Sequence, residues 1–225
     1  FWINLMSNEL KKRILTSIFL ILLLAFMYLY SFIMIIALVI IAIIIWIEFY
    51  ALISKILPKN KFIDKFLRYF FKSISLLYLT LLICFIFAIE SYYPNFKIYF
   101  LYTILVAILS DVGGLIIGKT FKGKKLTKIS PNKTISGSIG SFIFPLLLIP
   151  FFYEYLIFYS FLNLTLITIL ISLISQLGDL FISFLKRKAK VKDTSDLLPG
   201  HGGFLDRLDG IIFAIPIGIL LFGIF

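Results

Sequence analysis

The chain has 225 residues, of which 61% are hydrophobic and only 15% are charged, and its formal net charge is +11. Soluble domains are nearer to half apolar and a quarter charged, so this composition, with a mean hydropathy of +1.09, excludes an ordinary soluble domain. It indicates an integral membrane protein. The positive charge is explained first by membrane topology, because Lys and Arg collect in cytoplasmic loops, and nucleic acid is not an expected partner.

The apolar runs predict about seven membrane-spanning helices, with six to nine compatible with the pattern. Residues 10–54 contain about forty nearly uninterrupted apolar residues, enough for two spans, with a break expected near residues 28–31, where aromatic residues suit an interface. The basic residues 11–13 precede this run without a small-residue cleavage site, which predicts an anchor helix rather than a cleaved signal. A third and a fourth span are predicted at about 69–89 and 98–118.

The second half of the chain alternates polar loops with apolar runs. A basic loop at 119–138 precedes spans at about 139–152 and 156–185, and a second polar loop precedes a last span at 211–225. Threading these spans in order places 21 of the 22 Lys and Arg residues on one side, with only Lys97 on the other. The basic side is therefore predicted to be cytoplasmic.

These elements predict an all-α, multi-pass membrane protein built as one transmembrane domain over residues 1–225. Residues 10–110 would form mainly a helical scaffold, and residues 111–225, which contain both polar loops, would form the catalytic part. We expect the protein in the cell inner (cytoplasmic) membrane, with its polar active site on the cytoplasmic side.

Acidic side chains interrupt three of the predicted spans. Asp111 shares a helix face with Gly114 and Gly118, where small residues permit another helix to approach closely. Asp179 belongs to a stripe at helical spacing that consists of Thr165, Thr168, Ser172, Gln176, Asp179 and Ser183. An ionisable group inside a membrane faces a partner, a cavity or an ion, so both aspartates are predicted to be functional. Glu48 is interpreted as structural or interfacial, and packing between helices remains an alternative for the Ser and Thr residues.

The most polar window, residues 183–209, holds the only histidine, four of the eleven acids and six of the basic residues. Asp206 and Asp209 are spaced i, i+3 at the head of the last span, and Asp179 is expected at a similar depth. Three such carboxylates suit Mg²⁺, which prefers oxygen ligands and is often shared with substrate phosphates. The alternative is that acids favour a helix N-terminus for dipole reasons alone.

Both polar loops carry groups suited to phosphate. The glycine-rich run 200–203 allows tight turns whose N–H groups can approach an anion. A lone His is more often structural than catalytic, but His201 stands in this run between basic and acidic residues, which favours a functional role. Four basic residues of this window can pair with phosphate oxygens, although topology alone also explains them: Lys186, Arg187, Lys192 and Arg207. In the earlier loop, Lys133 and Thr134 look like a phosphate-cradling pair but do not form a P-loop.

Taken together, these residues resemble the signature of phosphatidate cytidylyltransferases, also called CDP-diacylglycerol synthases. The signature matches are Ser183, Lys186-Arg187, Lys192-Asp193, Ser195, Leu198-Pro199, His201-Gly202-Gly203-Phe204 and Asp206-Arg207-Leu208-Asp209. Further matches are Leu10-Lys11-Lys12-Arg13, Asp111, Gly114, Gly118, Ile129-Ser130-Pro131, Lys133-Thr134 and Gln176-Leu177-Gly178-Asp179. The chain departs from the family at Ser136, where a Glu is usual, so the resemblance implies no carboxylate contact from this position.

The resemblance implies that phosphatidate and CTP react to give CDP-diacylglycerol and pyrophosphate. It implies Mg²⁺ at Asp179, Asp206 and Asp209, with a second cation such as K⁺ left open. Catalytic roles follow for Asp111, Asp179, Asp206, Asp209 and His201. Substrate-binding roles follow for Ser130, Lys133, Thr134, Lys186, Arg187, Lys192 and Arg207. The expected partners are CTP, phosphatidate and membrane lipid, and a homodimer is compatible with the sequence.

Two other functions compete with this interpretation. A CDP-alcohol phosphotransferase would share the DxxDG pattern at 206–210, but the Ala-Arg pair and the two further acids of that family are missing. A transporter or channel could line an ion path with Asp111 and Asp179. That function does not explain why the polar residues concentrate in loops on one side.

Overall fold

The computed structural model describes residues 8–58, 61–93, 96–127, 130, 133–156, 158–200 and 202–224. Nine helices are present in these ranges: α1 Asn8–Leu29, α2 Ser31–Ile56, α3 Phe62–Tyr92, α4 Phe96–Phe121, α5 Ile135–Leu146, α6 Ile149–Phe152, α7 Phe161–Lys188, α8 Leu205–Leu208 and α9 Ile211–Ile224. The described residues contain no β-strand, only two isolated β-bridges. The predicted all-α fold is confirmed.

Six stretches of the described chain are long and apolar enough to cross a membrane: Leu10–Leu29, Ser31–Ile56, Phe62–Tyr92, Lys97–Phe121, Ile135–Phe152 and Phe161–Lys188. They correspond to the first six predicted spans, and the expected break between the first two falls at Tyr30. The predicted seventh span is α9, which has 14 helical residues and is shorter than the roughly 18 that a spanning helix needs.

The outer faces of these helices are strongly apolar. Leu15, Phe32 and Phe151 each expose more than 70% of their surface, and many other large aliphatic and aromatic side chains are exposed along the same helices. Water would not tolerate so much contiguous apolar surface, whereas lipid would. The helices therefore fit a multi-pass membrane protein.

The described structure separates into two compact units. The first unit comprises the residues up to Tyr92 together with Leu185–Arg207. In it α2 packs against both α1 and α3. The indole N–H of Trp46 donates to the carbonyl of Lys72 at 3.1 Å, and the Lys72 ammonium lies 4.9 and 4.6 Å from the ring centres of Trp46 and Tyr50. Buried Arg68 closes the end of α2 by donating to its last carbonyls.

The second unit comprises Tyr93–Phe184 and Leu208–Phe225. Its closest pairing joins α4 to α5, where glycines of the two helices face each other, and a Cβ on Gly137 would lie 2.7 Å from the carbonyl oxygen of Gly114. The small-residue face predicted for α4 therefore does permit close approach. The prediction of one domain with a scaffold and a catalytic part stays a prediction.

Polar side chains join α7 to its neighbours in the second unit. The Tyr102 hydroxyl lies 2.6 Å from the Thr168 hydroxyl, and Ser110 lies 3.0 Å from Ser172. Ser172 donates in turn to the Ser141 carbonyl at 2.7 Å. The first half of the predicted polar stripe on α7 thus serves helix packing, the alternative that the sequence had left open.

Candidate active site

A cavity of about 500 Å³ opens in the second unit, between α4, α7 and the start of α5. Its lining residues are Asp111, Gly114, Leu115, Gly118, Lys119, Leu126, Ser130, Lys133, Thr134, Gly137, Ser138, Ser141, Gln176, Asp179, Leu180 and Ser183. Five predicted site residues are therefore brought together here: Asp111, Ser130, Lys133, Thr134 and Asp179. The second half of the α7 stripe, from Gln176 onward, faces this cavity.

The loop before α5 is folded so that it delivers a helix N-terminus to the cavity. Leu126 donates its N–H to the Lys133 carbonyl at 2.8 Å, and Lys133 donates its own N–H to the Ser130 carbonyl at 3.1 Å. Thr134 is the N-cap of α5, because its hydroxyl accepts the Gly137 N–H at 3.1 Å. The first-turn N–H groups of a helix and its dipole favour an anion at this position.

Lys133 and Asp179 form an ion pair across the cavity, with side-chain exposures of 29% and 19%. Ser183 donates to the other Asp179 oxygen at 3.2 Å. On the facing helices Ser138 donates to Gln176 at 2.7 Å. The cavity thus combines a cation, carboxylates and an anion-binding helix terminus, which is the mixed set that a phosphate ligand with a divalent cation requires.

Ser136, which stands where a Glu was expected, turns away from a ligand-binding role. Its hydroxyl donates to the Lys122 carbonyl and lies 3.0 Å from the Thr134 hydroxyl. The residue therefore fastens the preceding loop to the start of α5, and its short side chain adds no charge to the cavity.

In the first unit, Asp206 anchors the loop that joins α7 to α8, residues 189–204, here called the α7–α8 loop. Its Oδ1 accepts from the Lys186 ammonium at 2.8 Å. Its Oδ2 accepts from the Thr194 N–H at 2.7 Å, the Thr194 hydroxyl at 2.9 Å and the Gly203 N–H at 3.0 Å. Burial raises the pKa of the Asp206 carboxyl, but the hydrogen bonds from Lys186 and the two N–H groups outweigh it, and the pKa lies below its ordinary value.

The predicted phosphate-binding side chains of residues 183–209 differ in burial. The Lys186 side chain is largely buried against Asp206, whereas Arg187, Lys192 and Arg207 are exposed. His201 lies outside the described residues. The predicted tight turn is present beside it: Gly202 has a φ of +83°, and Leu198 and Gly202 exchange two backbone hydrogen bonds of 2.8 and 3.1 Å.

Glu48 holds the same loop, which agrees with the structural role predicted for it, although the sequence did not indicate what it would hold. The side chain is 5% exposed, and its carboxylate accepts hydrogen bonds from Thr194, Ser195, Phe204 and Leu205. The available signal was its isolation, since it is the only acid among residues 10–54.

Asp209 is buried in the second unit, where its Oδ1 accepts the Gly210 N–H at 2.9 Å. A Cβ on Gly178 would lie 2.7 Å from the Asp209 carbonyl oxygen, so the residue next to Asp179 packs directly on the start of α9. Within the part of the chain that the structure describes, which omits His201, no three His, Cys, Asp or Glu side chains form a group that could hold a metal ion. The gathering of Asp179, Asp206 and Asp209 around one cation stays a prediction.

Comparison with known proteins gives a consistent result. A family model described as "Cytidylyltransferase family" matches residues 2–225. The chain is 38% identical over 174 residues to the phosphatidate cytidylyltransferase of Staphylococcus haemolyticus, an alignment that covers 76% of this chain and 64% of the relative. It is 39% identical over 137 residues to that of Bacillus subtilis, covering 56% of this chain and 48% of the relative. It is 45% identical over 115 residues to that of Rickettsia typhi, covering 48% and 50%. The chain thus spans about half to two thirds of the length of these relatives.

Proposed function

Because the chain belongs to the cytidylyltransferase family, we propose that it transfers CMP from CTP to phosphatidate and produces CDP-diacylglycerol and pyrophosphate. The names of the three relatives, which are all phosphatidate cytidylyltransferases, support these two substrates. The proposal explains why a protein with so many apolar helices also carries a polar cavity, since one substrate is a lipid and the other is a nucleotide.

The observation that carries the proposal is the composition of the cavity in the second unit. Its volume of about 500 Å³ lies in the range of small-molecule sites. Lys133 and the N-terminus of α5 supply positive potential for a triphosphate, and Ser130 and Thr134 add hydroxyl groups beside it.

The reaction requires no protein nucleophile. A phosphate oxygen of phosphatidate attacks the α-phosphorus of CTP, and a new P–O bond forms while the bond to the bridging oxygen of the β-phosphate breaks. Pyrophosphate leaves with that electron pair. The protein's task is to hold the two anions in line and to neutralise their charge.

The donor set of the cavity fits Mg²⁺. Asp111 and Asp179 both line it, and Mg²⁺ commonly uses one or two carboxylates together with substrate phosphates rather than a cage of protein ligands. Bound there, Mg²⁺ would neutralise negative charge on the phosphates as a Lewis acid. The assignment of Asp206 and Asp209 to the same ion, and a second cation such as K⁺, remain part of the proposal.

Lys186, Arg187, Lys192 and Arg207 would neutralise the phosphates of CTP or phosphatidate, and His201 would contact a substrate. We place the site on the cytoplasmic side of the cell inner membrane, because the basic loops fall on one side of the predicted topology. The acyl chains would remain in the bilayer while the lipid headgroup reaches the site from it. A homodimer remains compatible with the proposal.

The test is a transfer assay with the purified chain in detergent. CTP labelled at the α-phosphate should yield a labelled lipid only when phosphatidate and Mg²⁺ are both present, and CTP labelled at the γ-phosphate should yield labelled pyrophosphate and no labelled lipid. Asp179→Asn should abolish the transfer, whereas Asp196→Asn, at an exposed acid of the α7–α8 loop, should retain it. An active Asp179→Asn enzyme with an unchanged Mg²⁺ response would remove Asp179 from the metal site.

A further inference from the structure

Glu48 lies near the end of α2, in a segment where a carboxylate is expensive. The side chain is 5% exposed, and the residues around it in sequence are almost all apolar. A buried carboxylate is tolerated only where hydrogen-bond donors replace the water that it has lost. The hydrogen-bond donors around Glu48 therefore indicate what this carboxylate does in the fold.

All four of these donors come from the α7–α8 loop and the first residue of α8. On Oε1 the Ser195 hydroxyl donates at 2.6 Å and the Phe204 N–H at 3.1 Å. On Oε2 the Thr194 hydroxyl donates at 3.0 Å and the Leu205 N–H at 2.8 Å. One carboxylate thus ties the early part of the loop to its end, across the turn that contains the glycine-rich run.

Thr194 connects this carboxylate to Asp206. Its hydroxyl lies 3.0 Å from Glu48 Oε2 and 2.9 Å from Asp206 Oδ2 and is shared between them. Asp206 also accepts the N–H groups of Thr194 and Gly203. Glu48 and Asp206 therefore both bind residues near 194 and near 204 of the α7–α8 loop. Glu48 is thus linked to Asp206 through the Thr194 hydroxyl, and Lys186 pairs with Asp206.

We propose that Glu48 is a positioning residue for the transfer reaction, which fixes the α7–α8 loop so that Lys186 and Asp206 present the geometry that the phosphates require. This inference rests on the function proposed above. Glu48 acts through Thr194 and the loop backbone and does not itself touch a substrate.

The site is specific for a carboxylate. Each oxygen of Glu48 accepts one backbone N–H, so a glutamine of the same shape would direct its NH₂ group at the N–H of either Phe204 or Leu205. The loop is also built tightly around these oxygens, because a Cβ on Gly203 would lie 2.6 Å from each of them. Glu48→Gln should therefore displace the loop although it preserves volume and most of the packing.

The experiment compares Glu48→Gln with Glu154→Gln, the same chemical change at an exposed acid of the turn after α6. Transfer is measured per folded enzyme after size-exclusion chromatography. We expect kcat to fall about 10- to 100-fold in Glu48→Gln, as for other residues that orient a site through a second residue. We expect KM for CTP to rise by a smaller factor than kcat falls, because Lys186 is only one of the groups proposed to bind phosphate, whereas a loss of positioning for the reaction lowers kcat. Glu154→Gln should match the wild type.

Two milder variants test the connection through Thr194. Thr194→Ser keeps the shared hydroxyl and should retain activity, whereas Thr194→Val removes it with little change of volume and should reproduce the loss of kcat. This pair also decides the matter if Glu48→Gln does not fold. Wild-type kcat in Thr194→Val would overturn the proposal.

Hydrogen exchange of the Phe204 and Leu205 amides gives a readout that does not depend on the reaction. It should accelerate in Glu48→Gln and remain unchanged in Glu154→Gln. Unchanged exchange together with unchanged kcat in Glu48→Gln would refute the positioning role. If instead the wild type forms no CDP-diacylglycerol while exchange responds as expected, the proposed function fails and the hold of Glu48 on the loop stands.

Discussion

Replacing Asp206 with Asn should loosen the α7–α8 loop measurably. Asp206 accepts four hydrogen bonds, one from Lys186 and three from Thr194 and Gly203. An asparagine can direct its oxygen at the cluster of three donors, but its NH₂ group then faces the Lys186 ammonium. The variant therefore exchanges a charge-assisted contact for a contact between two donors.

The magnitude follows from burial. The Asp206 and Lys186 side chains are 4% and 12% exposed, so the pair is largely removed from water. Removing one partner from a buried pair costs about 3–5 kcal/mol, and the flexible Lys186 side chain can recover part of this by turning towards solvent. We therefore expect local opening of the loop to become easier by about 2–4 kcal/mol, which corresponds to roughly 30- to 1,000-fold in an equilibrium constant.

Native-state hydrogen exchange of the Thr194 and Gly203 amides measures this opening directly. Their protection should fall by the factor given above in Asp206→Asn, while the control Asp196→Asn, at an exposed acid of the same loop, leaves it unchanged. The pKa of Asp206 is lowered in the fold, so its contribution is fully present above the ordinary value of about 3.9 and is lost as the pH falls through the lower folded value. The wild type should therefore lose this protection on acidification, and the variant should lack that step. Equal protection in both proteins at neutral pH would refute the reasoning.

Three further outcomes are expected. Lys133→Met should weaken CTP binding by about 10- to 100-fold in equilibrium titration, because a hydrogen bond to a charged group contributes about 1.5–3 kcal/mol. The control Lys124→Met, at an exposed lysine that does not line the cavity, should bind CTP normally. Gly137→Ala should lower stability by about 1–3 kcal/mol in thermal unfolding, since its Cβ would lie 2.7 Å from the Gly114 carbonyl oxygen; an unchanged melting temperature would contradict the close pairing of α4 with α5. In a cysteine-free background, Lys97→Cys and Lys124→Cys should react with a membrane-impermeant maleimide from opposite sides of the membrane, and labelling from the same side would disprove the topology.

The helices could be predicted because lipid imposes a simple rule on length and composition. Every backbone polar group must be satisfied within the segment, so an apolar run of sufficient length becomes a helix almost regardless of its detailed sequence. The break at Tyr30 was predicted from the length of the apolar run and from its aromatic residues, which suit a membrane interface, and the loop before α5 was predicted from its polar and basic composition.

The cavity could be predicted in part. The helical spacing of Asp179 and the small residues beside Asp111 indicated two helix faces that meet a neighbour, and both faces line the cavity. Sequence alone could not show that Thr134 caps α5 or that Lys133 pairs with Asp179, because both contacts depend on how the loop before α5 closes. The polar stripe on α7 is one sequence pattern, but its residues do two different things: Thr168 packs against another helix, and the residues from Gln176 onward line the cavity.

The acids show why a rule about polar groups in membranes identifies important residues without assigning their roles. Each carboxylate must be compensated, but the compensation can come from the protein or from a ligand. Glu48 accepts three hydrogen bonds from the α7–α8 loop and the first residue of α8, and it shares a fourth, from the Thr194 hydroxyl, with Asp206, which makes it a structural anchor. Asp179 lies on a cavity, where its contacts with Lys133 and Ser183 leave the carboxylate beside open space large enough for a nucleotide. Burial and donor count, rather than acidity or spacing, therefore separate the residue that holds the loop from the residue that we expect to meet the substrate.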